Sequence, residues 1–295
     1  MKPVNKRTRY LSLLAIIPVL GLNSFASGNL LVSDIDDTIK KTGIHSDAVV
    51  AHAMGTTNEF AGMSILYNGR AVNYGASGKT EYLTAAPGQF DNLGIDFLRE
   101  AGFPPGRGTV DRFVVSGRDP QTENPGEFKA RKLIEIYKHE KPAVMILVGD
   151  NGEQDIDAYA DLMKYVSVHN GSTRVYSFIH HVYESQGKGR VIPSGHIPFL
   201  TAADLAVQFA NRGWIKEDVL ARVLGEIEYD SGVKQLSKEV VPAFMECASF
   251  KAWPEISSEV LGRASNAAAM SGSYAQVITN VSGLCKSKYE VTDIP

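Results

Sequence analysis

The sequence is poor in several features that would point to particular classes of protein. It has only two cysteines in 295 residues, and neither has a histidine or a metal-ligand spacing beside it, so a catalytic thiol is not expected. Its 30 basic and 33 acidic residues give a formal net charge of −3, which argues against a nucleic-acid partner or a polybasic membrane anchor. With 44% hydrophobic and 21% charged residues, the chain can bury one sizeable core.

An apolar run of membrane-spanning length is also missing near the N-terminus. The apolar stretch at residues 11–22 falls short of the roughly 18 to 20 residues that cross a bilayer. The residues before it carry four cations and no acid, and Ser24 and Ala26 after it are the small residues that a signal peptidase recognises. We therefore predict a signal peptide over residues 1–26 and a periplasmic or secreted bacterial protein, with no transmembrane segment in the mature chain. Removing this segment takes the formal net charge from −3 to −7.

Residues 30–182 alternate short β-type runs with helical patterns, which is typical of a parallel sheet wrapped by helices. Apolar stripes with helical spacing lie at residues 90–97 and 133–137, and a third helix is predicted over residues 154–166. We predict an α/β fold with a three-layer, Rossmann-like parallel sheet. Its strands are predicted at residues 30–34, 80–86, 111–117, 143–150 and 174–181.

From about Ile197 onward the pattern changes to one helix after another. The chain is thus predicted to divide into an α/β domain, residues 27–196, and a helical C-terminal extension, residues 197–295. Both cysteines, Cys247 and Cys285, lie in the extension, and export would permit a disulfide between them. Helices of the extension are predicted over residues 201–213, 216–229, 233–248 and 257–270.

Three carboxylates, Asp34, Asp36 and Asp37, stand at the end of the first predicted strand. A buried carboxylate is costly unless it is paired or binds a metal. A calcium loop of the EF-hand type would have a glycine at its sixth position and a glutamate at its twelfth, where this chain has Ile39 and His45. That interpretation fails. An acidic turn that caps a helix stays an alternative for this segment taken alone.

The ends of the other predicted strands supply further polar groups. Thr84 lies at the end of the second strand, and Asp150 ends a later strand and is followed by Asp155 five residues on. Because ligands of parallel sheets bind beyond the carboxyl ends of the strands, these groups are expected beside Asp34, where carboxylate oxygens would suit Mg²⁺. With a lysine added, the crevice would hold the groups that phosphoryl transfer requires.

Four motifs, in order, resemble those of the haloacid dehalogenase superfamily of phosphatases. They are "SDIDDT", "YLTAAP", Lys129 in "EFKARKLI", and "LVGDNGEQD". The segments "VSDIDDTIKKTG", "FLREAGFPPG" and "ILVGDNGEQDIDAYADL" further resemble the catalytic domain of the phosphatidate phosphatase family named for the fungal actin patch protein. The resemblance spans about residues 30–181. It implies a Mg²⁺-dependent phosphatase of the haloacid dehalogenase type.

The resemblance also implies a role for each matching residue. Asp34 would be the nucleophile that forms an aspartyl phosphate. Asp36 would protonate the leaving oxygen and then activate water, and its main-chain carbonyl would touch the metal. Thr84 would hold a phosphoryl oxygen, and Lys129 would neutralise the phosphate, with Lys132 as its rival one helical turn on. The implied metal ligands are Asp34, Asp36, Asp150 and Asp155.

The narrower resemblance implies phosphatidate as substrate. The spacing between the motifs leaves no room for a large cap domain, so the site is expected to admit bulky substrates, a phospholipid included. Segment 51–69 is expected to be an exposed loop whose Met54, Phe60, Met63 and Tyr67 could touch acyl chains, with core packing as the alternative. Two other functions stay open: a broad-specificity exported phosphomonoesterase acting on small soluble esters, and a secreted interaction module without catalysis.

Overall fold

The structure is a computed structural model, and it describes residues 27–47, 49–74, 78–105, 117–119, 121–169, 172–185 and 187–290. Two predictions fall wholly or mostly outside these ranges. The predicted signal peptide, residues 1–26, lies outside the described residues. Of the predicted strand 111–117, only Gly117 is described. Both therefore stay predictions.

Within the described ranges, five strands form one sheet in which every neighbouring pair is parallel, in the order β2-β1-β3-β4-β5. The strand order reverses at β1, so a crevice forms beyond the carboxyl ends of β1 and β3, where parallel α/β sheets bind their ligands. The strands are β1 (Ser27–Ser33), β2 (Gly78–Tyr82), β3 (Pro142–Asp150), β4 (Arg174–His180) and β5 (Ile197–Phe199).

Helices connect the strands. Helix α4 (Pro125–Glu140) begins at Pro125, because the side chain of Asn124 accepts a hydrogen bond from the Gly126 amide and the proline suits the first turn. The residue after its end, Lys141, adopts a left-handed conformation before β3. The helices up to β4 are α1 (Val49–Met54), α2 (Met63–Tyr74), α3 (Asp91–Glu100), α4 (Pro125–Glu140) and α5 (Asp155–His169).

Segment 51–69 corrects the prediction of an exposed loop, because most of it is helical. Met63, Leu66, Tyr67 and Arg70 stand at positions i, i+3, i+4 and i+7 of α2, and all four are buried. The Tyr67 hydroxyl lies 2.9 Å from that of Ser33 on β1. Phe60 is buried too, so of the four apolar residues proposed to touch acyl chains only Met54 is exposed. The core-packing alternative is correct for the other three.

Beyond β5, the described chain is mainly helical, with two corrections. Ile197–Phe199 form an edge strand paired with β4 rather than the start of the helical extension. The predicted helix over residues 233–248 shortens to α8 (Ser237–Val240), because Pro242 cannot continue a helix and restricts the residue before it. The helices are α6 (Ala202–Asn211), α7 (Glu217–Gly232), α8 (Ser237–Val240), α9 (Ser258–Arg263) and α10 (Ala267–Glu290).

The predicted helix over residues 257–270 is divided between α9 and α10. The Asn266 side chain accepts a hydrogen bond from the Ala269 amide, which caps the start of α10. No helix in the described ranges combines the length and the apolarity that crossing a membrane requires.

Alternate side chains of the central strands enter two apolar clusters on opposite faces of the sheet. Leu31 and Ile146 belong to the cluster that contains α2, α6 and α7, whereas Leu30, Val32 and Met145 belong to the cluster of α4 and α5. The three-layer α/β prediction is therefore confirmed. The C-terminal helices share the first cluster with the sheet, and β5 at residues 197–199 extends the sheet across the predicted domain boundary. The division into two domains at this boundary stays a prediction.

The disulfide left open by the sequence is present between Cys247 and Cys285, both buried. It joins the segment after α8 to the C-terminal helix α10 across a sequence separation of 38 residues.

We predict that removing this disulfide lowers the free energy of unfolding by about 3 to 4 kcal/mol, because an unclosed loop gives the unfolded chain more conformational entropy. The measurement is urea unfolding, with and without dithiothreitol, of the wild type and of a Cys247→Ser/Cys285→Ser variant. Dithiothreitol should lower the unfolding midpoint of the wild type only. A wild-type midpoint that does not move in reductant would contradict the pairing.

Candidate active site

Two buried aspartates meet at the carboxyl ends of the central strands. Asp34 directly follows β1 and its amide donates to the Val148 carbonyl of β3 at 2.9 Å, while Asp150 is the last residue of β3. The hydroxyl of Thr38 lies 3.2 Å from Oδ2 of Asp34 and 3.4 Å from Oδ2 of Asp150. These two carboxylate oxygens therefore flank one point at the crevice.

Lys129 of α4 supplies the cation of the site. Its Nζ lies 2.7 Å from Oδ1 of Asp34, 2.7 Å from Oδ1 of Asp155 and 3.2 Å from Oε2 of Glu153, and its side chain is only 1% exposed. Lys132, the rival in the sequence, instead pairs with the partly exposed Glu135. The structure thus brings Lys129, and not Lys132, to the carboxylates.

The carboxylates of this cluster repel one another. Burial raises the pKa of Asp34 well above its ordinary value against the opposing effect of Lys129, and Asp155 and Glu153 raise it further. Burial and the same two neighbours also raise the pKa of Asp150 well above its ordinary value. Although burial alone would lower the pKa of Lys129, its carboxylate neighbours raise that pKa well above the usual range. One ammonium thus faces several buried carboxylates, and a second positive charge would relieve their repulsion.

The carboxylates present fit a small divalent cation. Asp34, Asp150 and Asp155 each place an oxygen within 4.8 Å of the others' oxygens, and such hard oxygen ligands suit Mg²⁺. Asp155 already uses one oxygen on Lys129 and the other on the Asp150 amide at 3.1 Å. The oxygens that remain best placed for an ion are therefore the Oδ2 atoms of Asp34 and Asp150, with Asp155 holding Lys129 in position. Gly149 permits this close approach, because a Cβ there would lie 2.6 Å from the Asp155 carboxylate.

Asp36 and Thr84 are not part of the group formed by Asp34, Asp150 and Asp155. Oδ1 of Asp36 accepts a hydrogen bond of 2.6 Å from the hydroxyl of Thr42. Oγ1 of Thr84 accepts from the Ala86 amide at 3.1 Å, which leaves its own proton able to be donated. Asp36 and Thr84 line the same cavity. The predicted metal contact of the Asp36 main-chain carbonyl stays a prediction.

Asp37 plays the part that the acidic-turn alternative gives to this segment, because its carboxylate binds backbone amides, although these amides belong to a loop and not to a helix. It is buried with a φ of +54°, and its carboxylate accepts hydrogen bonds from three successive amides, those of Thr42, Gly43 and Ile44, at 3.1, 2.5 and 2.9 Å. The hydroxyl of Tyr183 donates to it at 2.5 Å. Asp37 thereby fixes the loop from which Thr42 reaches Asp36. The sequence signal was the following "TG" pair, since Gly43 also has a positive φ, of +63°.

His180 supports the same loop from the end of β4, next to Asp150 in the sheet register. Its ring nitrogens lie 3.1 Å from the Thr38 carbonyl and 2.9 Å from the Leu200 carbonyl, between the rings of Phe60 and Phe199. Burial lowers its pKa to about 4, against the opposing effect of these carbonyl groups. His180 therefore positions the backbone that carries Thr38.

Comparison with known proteins matches residues 29–169 to the family described as "Phosphatidate phosphatase APP1, catalytic domain". This match confirms the resemblance drawn from the motifs. No curated protein matches the chain. Among solved structures, the chain is similar to the class C acid phosphatase of Bacillus anthracis with tungstate bound, at 14% identity and a TM-score of 0.28, covering 50% of this chain and 66% of that one.

We predict that Mg²⁺ raises the melting temperature by several degrees and that Asp150→Asn abolishes this rise. At a Mg²⁺ concentration about 100-fold above its Kd, binding to the folded state alone adds roughly 2.7 kcal/mol of stability. In EDTA the variant should melt above the wild type, because one of the mutually repelling carboxylates is gone. The measurement is thermal unfolding by circular dichroism.

The matched control for this experiment is Asp157→Asn. Asp157 lies near Asp155 in the first turn of α5, but its side chain is 55% exposed and pairs with Arg190 at 2.7 Å. It should keep the full Mg²⁺ response. A rise retained by Asp150→Asn would show that the ion binds elsewhere.

Proposed function

Because residues 29–169 match the catalytic domain of the APP1 family of phosphatidate phosphatases, we propose that this protein is a Mg²⁺-dependent phosphatase that works through an aspartyl-phosphate intermediate. The family match supports hydrolysis of phosphoric monoesters. We add three specific proposals to this: that the metal is Mg²⁺, that the intermediate is an aspartyl phosphate, and that the substrate is phosphatidate.

The observation that carries the proposal is the contact of buried Lys129 with Asp34, beside Asp150 and Asp155. A carboxylate can attack an anionic phosphoryl group only where positive charge offsets the repulsion between them. Lys129 supplies one such charge at Oδ1 of Asp34. Mg²⁺, held by the Oδ2 atoms of Asp34 and Asp150, would supply electrostatic stabilisation of the transferring phosphoryl oxygens.

The proposed reaction has two steps. In the first, an oxygen of Asp34 forms a bond to phosphorus while the bond to the leaving oxygen breaks, and Asp36 gives that oxygen a proton. In the second, Asp36 takes a proton from water, which attacks phosphorus and releases inorganic phosphate with the Asp34 carboxylate restored. Thr84 would donate its hydroxyl proton to a phosphoryl oxygen throughout. The hydrogen bond from Thr42 would keep Asp36 directed at the leaving oxygen.

For the substrate we propose phosphatidate, on the strength of the family match, with small soluble phosphomonoesters as the alternative. We further propose that residues 1–26 export the protein, so that its substrate is met outside the cytoplasm. A secreted interaction module without catalysis is the candidate from another class. It is disfavoured, because a module that does not catalyse has no need of a buried lysine held among carboxylates.

We predict metal-dependent phosphate release that Asp34→Asn lowers by at least about 10³-fold, because the variant loses the attacking carboxylate. The measurement is inorganic phosphate released by the chain from Ser27 onward, in Mg²⁺ and in EDTA. The substrates are phosphatidate in mixed micelles and a soluble aryl phosphate, and the better one identifies the substrate class.

Asp157→Asn again serves as the control, and it should keep wild-type activity. Release that continues unchanged in EDTA, or in Asp34→Asn, would overturn the metal-dependent mechanism. A biological effect that persists in Asp34→Asn would favour the interaction module.

A further inference from the structure

A cavity of about 290 Å³ opens beside the candidate active site, between the loops that follow β1 and β2 and helices α1 and α3. We call it the α1–α3 pocket. Asp36 and Thr84 line it, together with Lys40. The rest of its lining is almost entirely apolar and includes Val49, Val50, Ala53, Met54, Phe90 and Leu93.

The position of the pocket constrains what can fill it. Asp36 is the proposed acid for the leaving oxygen, and Thr84 is the proposed donor to the phosphoryl group. A group that fills the pocket while the phosphoryl group is held at Thr84 would therefore be attached to the oxygen that leaves. The pocket thus lies where a leaving group would lie.

Lys40 already makes contacts within the protein. Its Nζ donates to the Ala53 carbonyl at 2.5 Å and lies 5.2 Å from the centre of the Phe97 ring. This contact fixes the C-terminal end of α1 as one wall of the pocket. The described lining of the pocket therefore contains one cation, which already donates to the backbone, and its remaining surface suits an apolar group.

Helix α1 is held by polar contacts rather than by packing. None of its residues is buried, and His52 contacts the Thr42 carbonyl at 3.1 Å while Asn58 donates to the His52 carbonyl at 2.8 Å. Its apolar side chains Val50 and Met54 are 70% and 64% exposed. These exposed side chains do not contribute to the core, and a bound apolar ligand would remove their surface from water.

The exposed apolar surface of the described chain is concentrated here. Seven large apolar side chains are exposed among the described residues, and three of them, Val50, Met54 and Phe90, line this one pocket. The pocket thus has the proposed catalytic residues Asp36 and Thr84 in its lining together with exposed apolar side chains.

We propose that the α1–α3 pocket is a leaving-group subsite that takes the alkyl or aryl part of an apolar phosphomonoester, and that Val50, Met54 and Phe90 determine this specificity. The inference rests on the proposed phosphatase function. In the first step the bond from phosphorus to the leaving oxygen breaks, that oxygen takes the proton of Asp36, and an apolar alcohol or phenol is released into the pocket. Sugar phosphates and other strongly polar esters would lose this contact.

The test uses alkylphosphonates, whose carbon–phosphorus bond is not hydrolysed, so binding is measured apart from turnover. Titration calorimetry in Mg²⁺ would compare methyl-, butyl- and octylphosphonate. Each methylene that the pocket buries should lower Kd roughly fourfold. Octylphosphonate should then bind at least about 30-fold more tightly than methylphosphonate to the wild type.

The informative variant is Val50→Thr/Met54→Gln, which keeps the size of both side chains, adds no charge and changes only exposed positions. It should weaken octylphosphonate binding by about tenfold and leave methylphosphonate binding unchanged. The control is Val72→Thr, because Val72 is 83% exposed on α2 and lies outside the pocket lining. It should behave as the wild type. A Kd independent of chain length, or a double variant with the full dependence, would overturn the inference.

Turnover separates this inference from the proposed function. Chain-length-dependent binding without phosphate release from any ester would show that the pocket binds apolar chains, but it would overturn the phosphatase and with it the assignment of the pocket to a leaving group. Metal-dependent phosphate release together with a Kd that does not depend on chain length would support the phosphatase and overturn the subsite. Comparing octyl phosphate in solution with phosphatidate in vesicles distinguishes the two sources of an apolar leaving group, and faster release from either than from glycerol 3-phosphate supports the subsite.

Discussion

The candidate site depends on the contact of Lys129 with buried carboxylates. An ammonium that is 1% exposed is stable only where carboxylates offset the cost of removing it from water, and Asp34 and Asp155 both contact it at 2.7 Å. The dependence runs both ways, since those carboxylates would repel one another without it. Helix α4 and the ends of β1 and β3 are therefore held in one arrangement by charge as well as by the apolar cluster beneath them.

A second level of support fixes the loop after β1 without taking part in the proposed chemistry. Asp37 accepts hydrogen bonds from three successive amides, and His180 lies between two carbonyl groups. Both are buried and contact backbone atoms, and Asp37 also accepts a hydrogen bond from the Tyr183 hydroxyl. The adjacent carboxylates Asp36 and Asp37 thus have different tasks: one faces the cavity, and the other orders the turn that presents it.

The sequence predicted the parts of the site that follow from the geometry of a parallel sheet. Asp34 and Asp150 end neighbouring strands, so their proximity could be inferred from apolar runs alone. The contact of Asp37 with Tyr183 could not, because the two residues lie 146 positions apart in the sequence. Helix α2 was missed although the spacing of its apolar residues is visible in the sequence. The strand β5 was missed because three residues are too few to show a period.

The contact between Tyr183 and Asp37 has a consequence for the smallest unit that can hold the site together. The segment that matches the family ends at residue 169, whereas Tyr183, His180 and both strands β4 and β5 come after it. A chain cut at that point would keep all four motifs and lose the hydroxyl and the imidazole that order the first of them. The segment that is similar in sequence to the family is therefore shorter than the segment that is needed to hold the site together.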